Sequence, residues 1–175
     1  IRDRNKMAYI ESNIKLNFPD SNHFRFQDIE AYKELSGYSF KEMDACWYDT
    51  EANVFYMIEL KDYTEGNIGE RENRLQRTYN LVKKSVDSLC MLLAMFAETK
   101  HGKKFIDELP FNIARDCQVV LVSIVNISQE QKEYLGFIRD DYRSKFESYR
   151  RLFDLKAVIL SRDSAVERFI WVEMP

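Results

Sequence analysis

A carboxylate and an ammonium two residues apart, Glu59 and Lys61, follow the apolar run Val54 to Ile58 within the strand-like stretch Val54 to Tyr63. Alternate side chains of an extended strand share a face, so Glu59 and Lys61 project together with Phe55 and Met57. Val54, Tyr56, Ile58 and Leu60 then form a wholly apolar opposite face. If a hairpin with an even-length loop pairs Asp49 with Val54, Asp44 stands opposite Glu59, the Cβ atoms roughly 5 Å apart. A loop one residue longer or shorter turns Asp44 to the other face. Two carboxylates that close repel unless a cation lies between them, and Mg²⁺ (or Mn²⁺), which favours oxygen ligands, suits the position. Lys61 is then near enough to orient or deprotonate a metal-bound water. The chemistry this arrangement can perform is metal-assisted hydrolysis of a phosphodiester.

These residues resemble the signature of the PD-(D/E)XK nuclease superfamily, which comprises restriction enzymes, junction resolvases and related DNA- and RNA-cleaving domains. Its pattern is an acidic residue on one strand, then Glu or Asp, any residue, and Lys on the next, matched here by Met43-Asp44-Ala45 and Ile58-Glu59-Leu60-Lys61. The resemblance spans Asn5 to Ile127 and implies a restriction-endonuclease-like core of helix, three-strand meander, helix and strand. It further implies an endonuclease using Mg²⁺ or Mn²⁺ on DNA or RNA, with Asp44, Glu59 and the Leu60 carbonyl as metal ligands and Lys61 assisting the attacking water. Met43 stands where the signature has proline, and the literal Pro19-Asp20 falls upstream in a loop segment. Members also draw a glutamate from the first helix, for which Glu11 is the candidate by position and Glu30 the second. Some add Gln or Lys from the helix after the motif, where Gln76, Asn80 and Lys83 form one stripe. Double-strand cutting by one such site implies a homodimer.

The three-residue pattern recurs by chance at Glu98-Thr99-Lys100 and Glu130-Gln131-Lys132. What sets Glu59 apart is its apolar strand, the upstream Asp44 in register and the helix that follows. Two competing readings remain: a catalytically silent domain of the same fold that binds nucleic acid or protein, and an unrelated α/β interaction domain whose triad is an ordinary ion pair on a sheet.

The elements that must position these groups can be read from periodicity. Met7, Ile10, Ile14 and Leu16 predict a first helix over Asn5 to Leu16. Aromatic-rich stretches at His23 to Ala31 and Tyr38 to Tyr48 predict two meander strands, although Ile29 to Leu35 also fits a short helix. After a loop at Gly66 and Gly69, Leu75, Tyr79, Val82, Val86, Leu89, Leu93 and Phe96 predict a long helix. The continuously apolar Cys117 to Ile127 predicts a strand buried on both faces. Ser128 and Gln131 form a capping box ahead of a helix with Tyr134, Ile138, Tyr142, Phe146 and Tyr149 inward. Strands at Leu155 to Ser161 and Arg168 to Met174 complete one α/β domain with a mixed central sheet flanked by helices.

The 175 residues, 45% of them hydrophobic, suffice for one packed core. The 26 basic and 29 acidic side chains nearly cancel, which excludes duplex binding by bulk charge and leaves local patches or metal ions to hold a nucleic acid. Lys83 with Lys84, and Arg139, Arg143, Lys145, Arg150 and Arg151, form such patches or solvated helix faces; Lys84, Arg139 and Arg143 are the candidate contacts. Cys46, Cys90 and Cys117 are widely spaced and set among apolar residues, as buried thiols in a reducing compartment would be. No apolar run approaches the ~18 residues of a membrane span, so the expectation is a cytoplasmic protein with no membrane partner. The opening Ile1 leaves room for a larger multidomain protein. His23 and His101 lack partners at metal-ligand spacing and are expected in turns or solvent. Gly66-Asn67-Ile68-Gly69 lacks the Lys-Ser/Thr of a phosphate-binding loop and reads as flexible.

Overall fold

The computed structural model describes residues 8–175. Strands β1 (Tyr9–Glu11), β2 (Ile14–Leu16) and β3 (His23–Phe24) lead through a 3-10 turn to helix α1 (Glu30–Ser36). Strands β4 (Ala45–Asp49) and β5 (Val54–Asp62) follow, then α2 (Arg71–Phe96), α3 (Lys100–Glu108) and β6 (Gln118–Asn126). The chain ends with α4 (Lys132–Leu152), β7 (Lys156–Ser161), α5 (Arg162–Arg168) and β8 (Val172–Glu173). A five-stranded sheet has the order β3-β4-β5-β6-β7, antiparallel from β3 to β5 and parallel from β5 to β7. The mixed α/β architecture anticipated from the sequence is therefore present.

Helices α1 to α4 cover one face of this sheet, and the smaller sheet with α5 covers the other. On one face, Phe55, Met57, Leu121 and Val125 pack with Leu81, Leu92 and Met95 of α2 and Ile138, Tyr142 and Phe146 of α4. On the other, Ala45, Trp47, Ile58, Leu60, Val122 and Ile124 meet Ile14, Leu16, Trp171 and Val172 from the small sheet β1-β2-β8. Both faces of β5 and β6 are thus buried, which accounts for the near-continuous apolar character of those segments.

The expected first helix is corrected: residues 5–7 lie outside the described part, and residues 9–16 form the β1-β2 hairpin. Its two-residue turn, Ser12 and Asn13, has φ of 55° and 57°, the left-handed pair that suits the twist of a tight hairpin. Strand alternation buries Ile14 and Leu16 completely while Ile10 stays exposed. The extended reading of His23 to Ala31 survives only as the two residues of β3, and α1 takes the helical alternative offered for Ile29 to Leu35. The second meander strand begins at Ala45 rather than Tyr38. At the C-terminus, Ser161 caps α5 by accepting from the Ser164 N–H, and the expected final strand shrinks to β8, which joins the small sheet beside β2.

The stripe expected on α2 is met in part: Leu89 is buried and Val82, Val86, Leu93 and Phe96 pack against the core, but the most deeply buried line lies beside it. Tyr79 is exposed, while Thr78, Leu81, Ser85, Ser88, Leu92 and Met95 face inward at steps of three and four. Cys90 lies off this side and is exposed, and Cys117 is half-buried, so only Cys46 is the fully buried thiol expected of all three. On α4, Ile138, Tyr142 and Phe146 are buried as expected, with Leu135 joining them, whereas Tyr149 reaches solvent. No helix among the described residues is long and apolar enough to cross a membrane.

Candidate active site

The β4-β5 hairpin sets the register on which the site depends. Asp49 Oδ1 accepts from the N–H groups of Glu51 and Ala52, Asn53 turns the chain at φ 53°, and Asp49 pairs with Val54. Counting back, Ala45 pairs with Ile58, and the regular ladder stops there. Two side chains take over the bonds that the next backbone pair would make. Asp44 Oδ2 accepts from the Leu60 N–H at 2.7 Å, and Ser88 Oγ of α2 accepts from the Met43 N–H at 2.8 Å. Alternation along an antiparallel ladder would have sent the Met43 N–H to the Leu60 carbonyl, so that carbonyl is left outside the β4-β5 ladder.

Asp44 shares the α2 side of the sheet with Glu59, as the even loop required. Both are buried, Glu59 to 1% exposure. Lys84 of α2 bridges them: its Nζ lies 2.8 Å from Glu59 Oε1 and 3.3 Å from Asp44 Oδ1. Lys61 Nζ approaches the same Glu59 oxygen at 2.6 Å. The two ammoniums converge on Glu59 Oε1, while Glu59 Oε2 has no hydrogen-bond partner. Burial, and then the charge of Asp44, raise the Glu59 carboxyl to about 7, with Lys61 and Lys84 offsetting only part of the shift. Burial works against the charge of Lys84, but Glu59 and Asp44 outweigh it and hold that ammonium above its ordinary range.

Comparison of the chain with protein-family models, curated proteins and solved structures finds no match. The arrangement must therefore be judged on its chemistry. Asp44 Oδ1, both Glu59 oxygens and the Leu60 carbonyl make an all-oxygen donor set that fits a hard divalent cation. No third acidic, histidine or cysteine side chain joins them in a metal-binding group among the described residues. Glu59 Oε2, buried and without a hydrogen-bond partner, supplies the structural support for this fit, since a buried carboxylate oxygen left unsatisfied is costly.

The accessory candidates fall elsewhere. Glu11 sits on β1, not on a helix, and pairs with Arg25 at 2.9 Å. Arg25 Nε in turn donates to the Asp44 carbonyl at 3.0 Å, so Glu11 reaches the site only through that arginine. Glu30 opens α1, exposed and paired with Lys33. Gln76 donates to Asn80 on the exposed side of α2, and Lys83 is engaged with Asp87 at 2.7 Å. The helix residue that enters the site is Lys84, proposed from the sequence only as a nucleic-acid contact. Arg139 donates to the Ile159 carbonyl of β7, and with Arg143 it lines a cleft of about 350 Å³ between α4 and β7, two strands away from β5.

The two histidines also depart from expectation. His23 is half-buried and bonded to the Tyr9 hydroxyl, while His101 Nε2 lies 2.8 Å from the Ala31 carbonyl. The Gly66 to Gly69 loop turns its carbonyls toward Arg74, whose Nη1 donates to Ile68 and Gly69, an orientation unsuited to an anion. Ser88 and Arg25 were missed as site residues, and Lys84 was given a different role. For Lys84 and Ser88 the signal was available: they lie three and seven residues after the buried Leu81, on the inward side of α2.

Proposed function

We propose that the chain is a metal-dependent nuclease that hydrolyses phosphodiester bonds in DNA or RNA, with Asp44 and Glu59 holding Mg²⁺ or Mn²⁺ and Lys61 assisting the attacking water. The observation that carries this reading is the juxtaposition of Asp44 and Glu59, from different strands, around one ammonium, with Glu59 Oε2 lacking a hydrogen-bond partner. The strand order supports it: antiparallel β3-β4-β5, a crossing helix α2, then β6 parallel to β5, the order the PD-(D/E)XK resemblance implies. The helix of that core expected at the start of the chain has no counterpart there, and α1 instead lies between β3 and β4.

A divalent ion bound by Asp44 Oδ1, Glu59 and the Leu60 carbonyl would acidify water and offset charge on a phosphate. The remaining work falls to residues of the chain. Asp44 is fixed by the Leu60 N–H, leaving its other oxygen for the ion. Lys61, half-buried and beside Glu59, stands between the buried carboxylate and solvent, placed to orient a water or take up its proton. Arg25 ties the Asp44 backbone to Glu11 of the small sheet.

Charge balance favours a second reading. Lys61 and Lys84 already match Asp44 and Glu59 in number, so the cluster is formally neutral without an ion, as a silent binding module of this fold would require. The deciding assay incubates the protein with labelled single- and double-stranded DNA and RNA in Mg²⁺, in Mn²⁺ and in chelator. Cleavage only with a divalent ion supports the nuclease. Cleavage that survives chelation, or none on any substrate, removes it.

A further inference from the structure

We propose that the Lys84 ammonium is a tethered counter-ion that holds the divalent-cation position in the ion-free protein and must leave that position before Mg²⁺ binds, so that Lys84 sets the affinity of the site. The inference rests on the divalent-ion reading of Asp44 and Glu59 and adds a device that regulates it.

Three observations lead to it. First, Lys84 and a divalent ion require the same atoms. Asp44 Oδ2 is committed to the Leu60 N–H, so Oδ1 is the oxygen Asp44 can offer, and Lys84 Nζ already faces it at 3.3 Å and Glu59 Oε1 at 2.8 Å. Magnesium takes oxygen ligands at roughly 2.0–2.1 Å in an octahedron, which leaves no room for an ammonium wedged between the same two oxygens.

Second, Lys84 is the cation that spans both carboxylates. Lys61 touches Glu59 only, and its side chain is more exposed, 29% against 18%. Third, the ammonium satisfies the carboxylates in charge but not in geometry. Both lysines converge on Glu59 Oε1 and leave Oε2 without a partner, so the ammonium neutralises the position without completing it. A flexible four-carbon stem lets an ammonium withdraw while its helix stays in place. The fixed carboxylates and a movable cation together form a site that is neutral when empty of metal and can exchange one cation for another.

The test is a calorimetric titration of Mg²⁺, repeated with Mn²⁺, into the parent chain, Lys84→Met and Lys83→Met. Removing the competing ammonium should tighten binding in Lys84→Met on the order of tenfold, with Lys83→Met equal to the parent. Amine labelling of the parent, read by mass spectrometry, gives an answer that needs no folded variant: Mg²⁺ should raise the labelling of Lys84 and leave Lys83 unchanged. Equal or weaker binding in Lys84→Met, or Lys84 labelling indifferent to Mg²⁺ in a parent that binds it, overturns the inference and leaves the metal reading intact. Absence of binding in both parent and Lys84→Met overturns both.

Discussion

The two faces of strand β5 are both covered but built on different terms. Toward the small sheet, Ile58 and Leu60 enter a cluster with Trp47, Ile14, Leu16 and Trp171 that contains no charged side chain. Phe18, Trp47, Tyr56, Phe169 and Trp171 pack ring on ring, with centroids 4.6 Å apart in the Phe169-Trp171 stack. Toward α2, the same strand begins with Phe55 and Met57 and then buries Glu59 against Asp44, Lys84 and Ser88. The apolar face lowers the free energy of the fold. The polar one costs desolvation energy, which a fold retains only where the groups do something that hydrocarbon cannot.

That contrast can be broken first at its chemical end. Lys61→Ala should lower cleavage by a factor of about 10²–10⁴, the span over which a positioned acid-base group contributes, with only a modest fall in the denaturation midpoint because Lys84 remains beside Glu59. Activity equal to the parent would take Lys61 out of the mechanism. On the opposite face, Trp171→Ala should cost about 3–5 kcal/mol of stability because it empties the centre of the aromatic cluster. The affinity for Mg²⁺ should not change in that variant; a parallel loss of metal binding would show that the two faces are not separable.

The pH dependence of stability sharpens the same comparison. Glu59 titrates near the usual 4.5 when unfolded and at about 7 when folded, so between those values the native protein holds the extra proton. Stability therefore falls as pH rises from about 4.5 to 7 and is level beyond it, a loss of roughly 3 kcal/mol from this group. Urea midpoints of the ion-free protein at pH 5 and pH 7.5 should differ accordingly, and Glu59→Gln should flatten the difference. A stability that instead rises with pH over this window, and is unaltered by Glu59→Gln, would mean the lysines hold the carboxylate ionised throughout.

Much of this organisation was written in local pattern. Strands β5 and β6 and the body of α4 follow from continuous apolar runs and regular spacing, and the even loop after Asp49 was enough to bring Asp44 and Glu59 to one face. Where two periods coexist, local pattern misleads. Ile10, Ile14 and Leu16 fit a helix as well as a hairpin until Ser12 and Asn13 are read as a turn. Lys84 was legible only as one of two adjacent lysines, because the stripe chosen for α2 followed its largest apolar residues. The side that faces the sheet carries Thr78, Ser85 and Ser88, whose hydroxyls are buried; Ser85 is satisfied by the Leu81 carbonyl and the Tyr142 hydroxyl. Polar atoms in a helix interface give no hydrophobic signal, although here they mark the side nearest the chemistry.

Ser88 gives the smallest and most local test of how the polar face is held. Its hydroxyl takes the Met43 N–H and so ends the β4-β5 ladder one pair early, which frees the Leu60 carbonyl and lets the Asp44 carboxylate take the Leu60 N–H. Ser88→Ala removes that acceptor from a fully buried position. An orphaned N–H costs about 1–3 kcal/mol, and that loss is the expected shift in urea stability. Should the Met43 N–H instead swing back to the Leu60 carbonyl, the ladder would lengthen by one pair and the cost would vanish. A Ser88→Ala protein as stable as the parent would thus show that the early end of the ladder is not imposed by Ser88, and that the unpaired Leu60 carbonyl needs another cause.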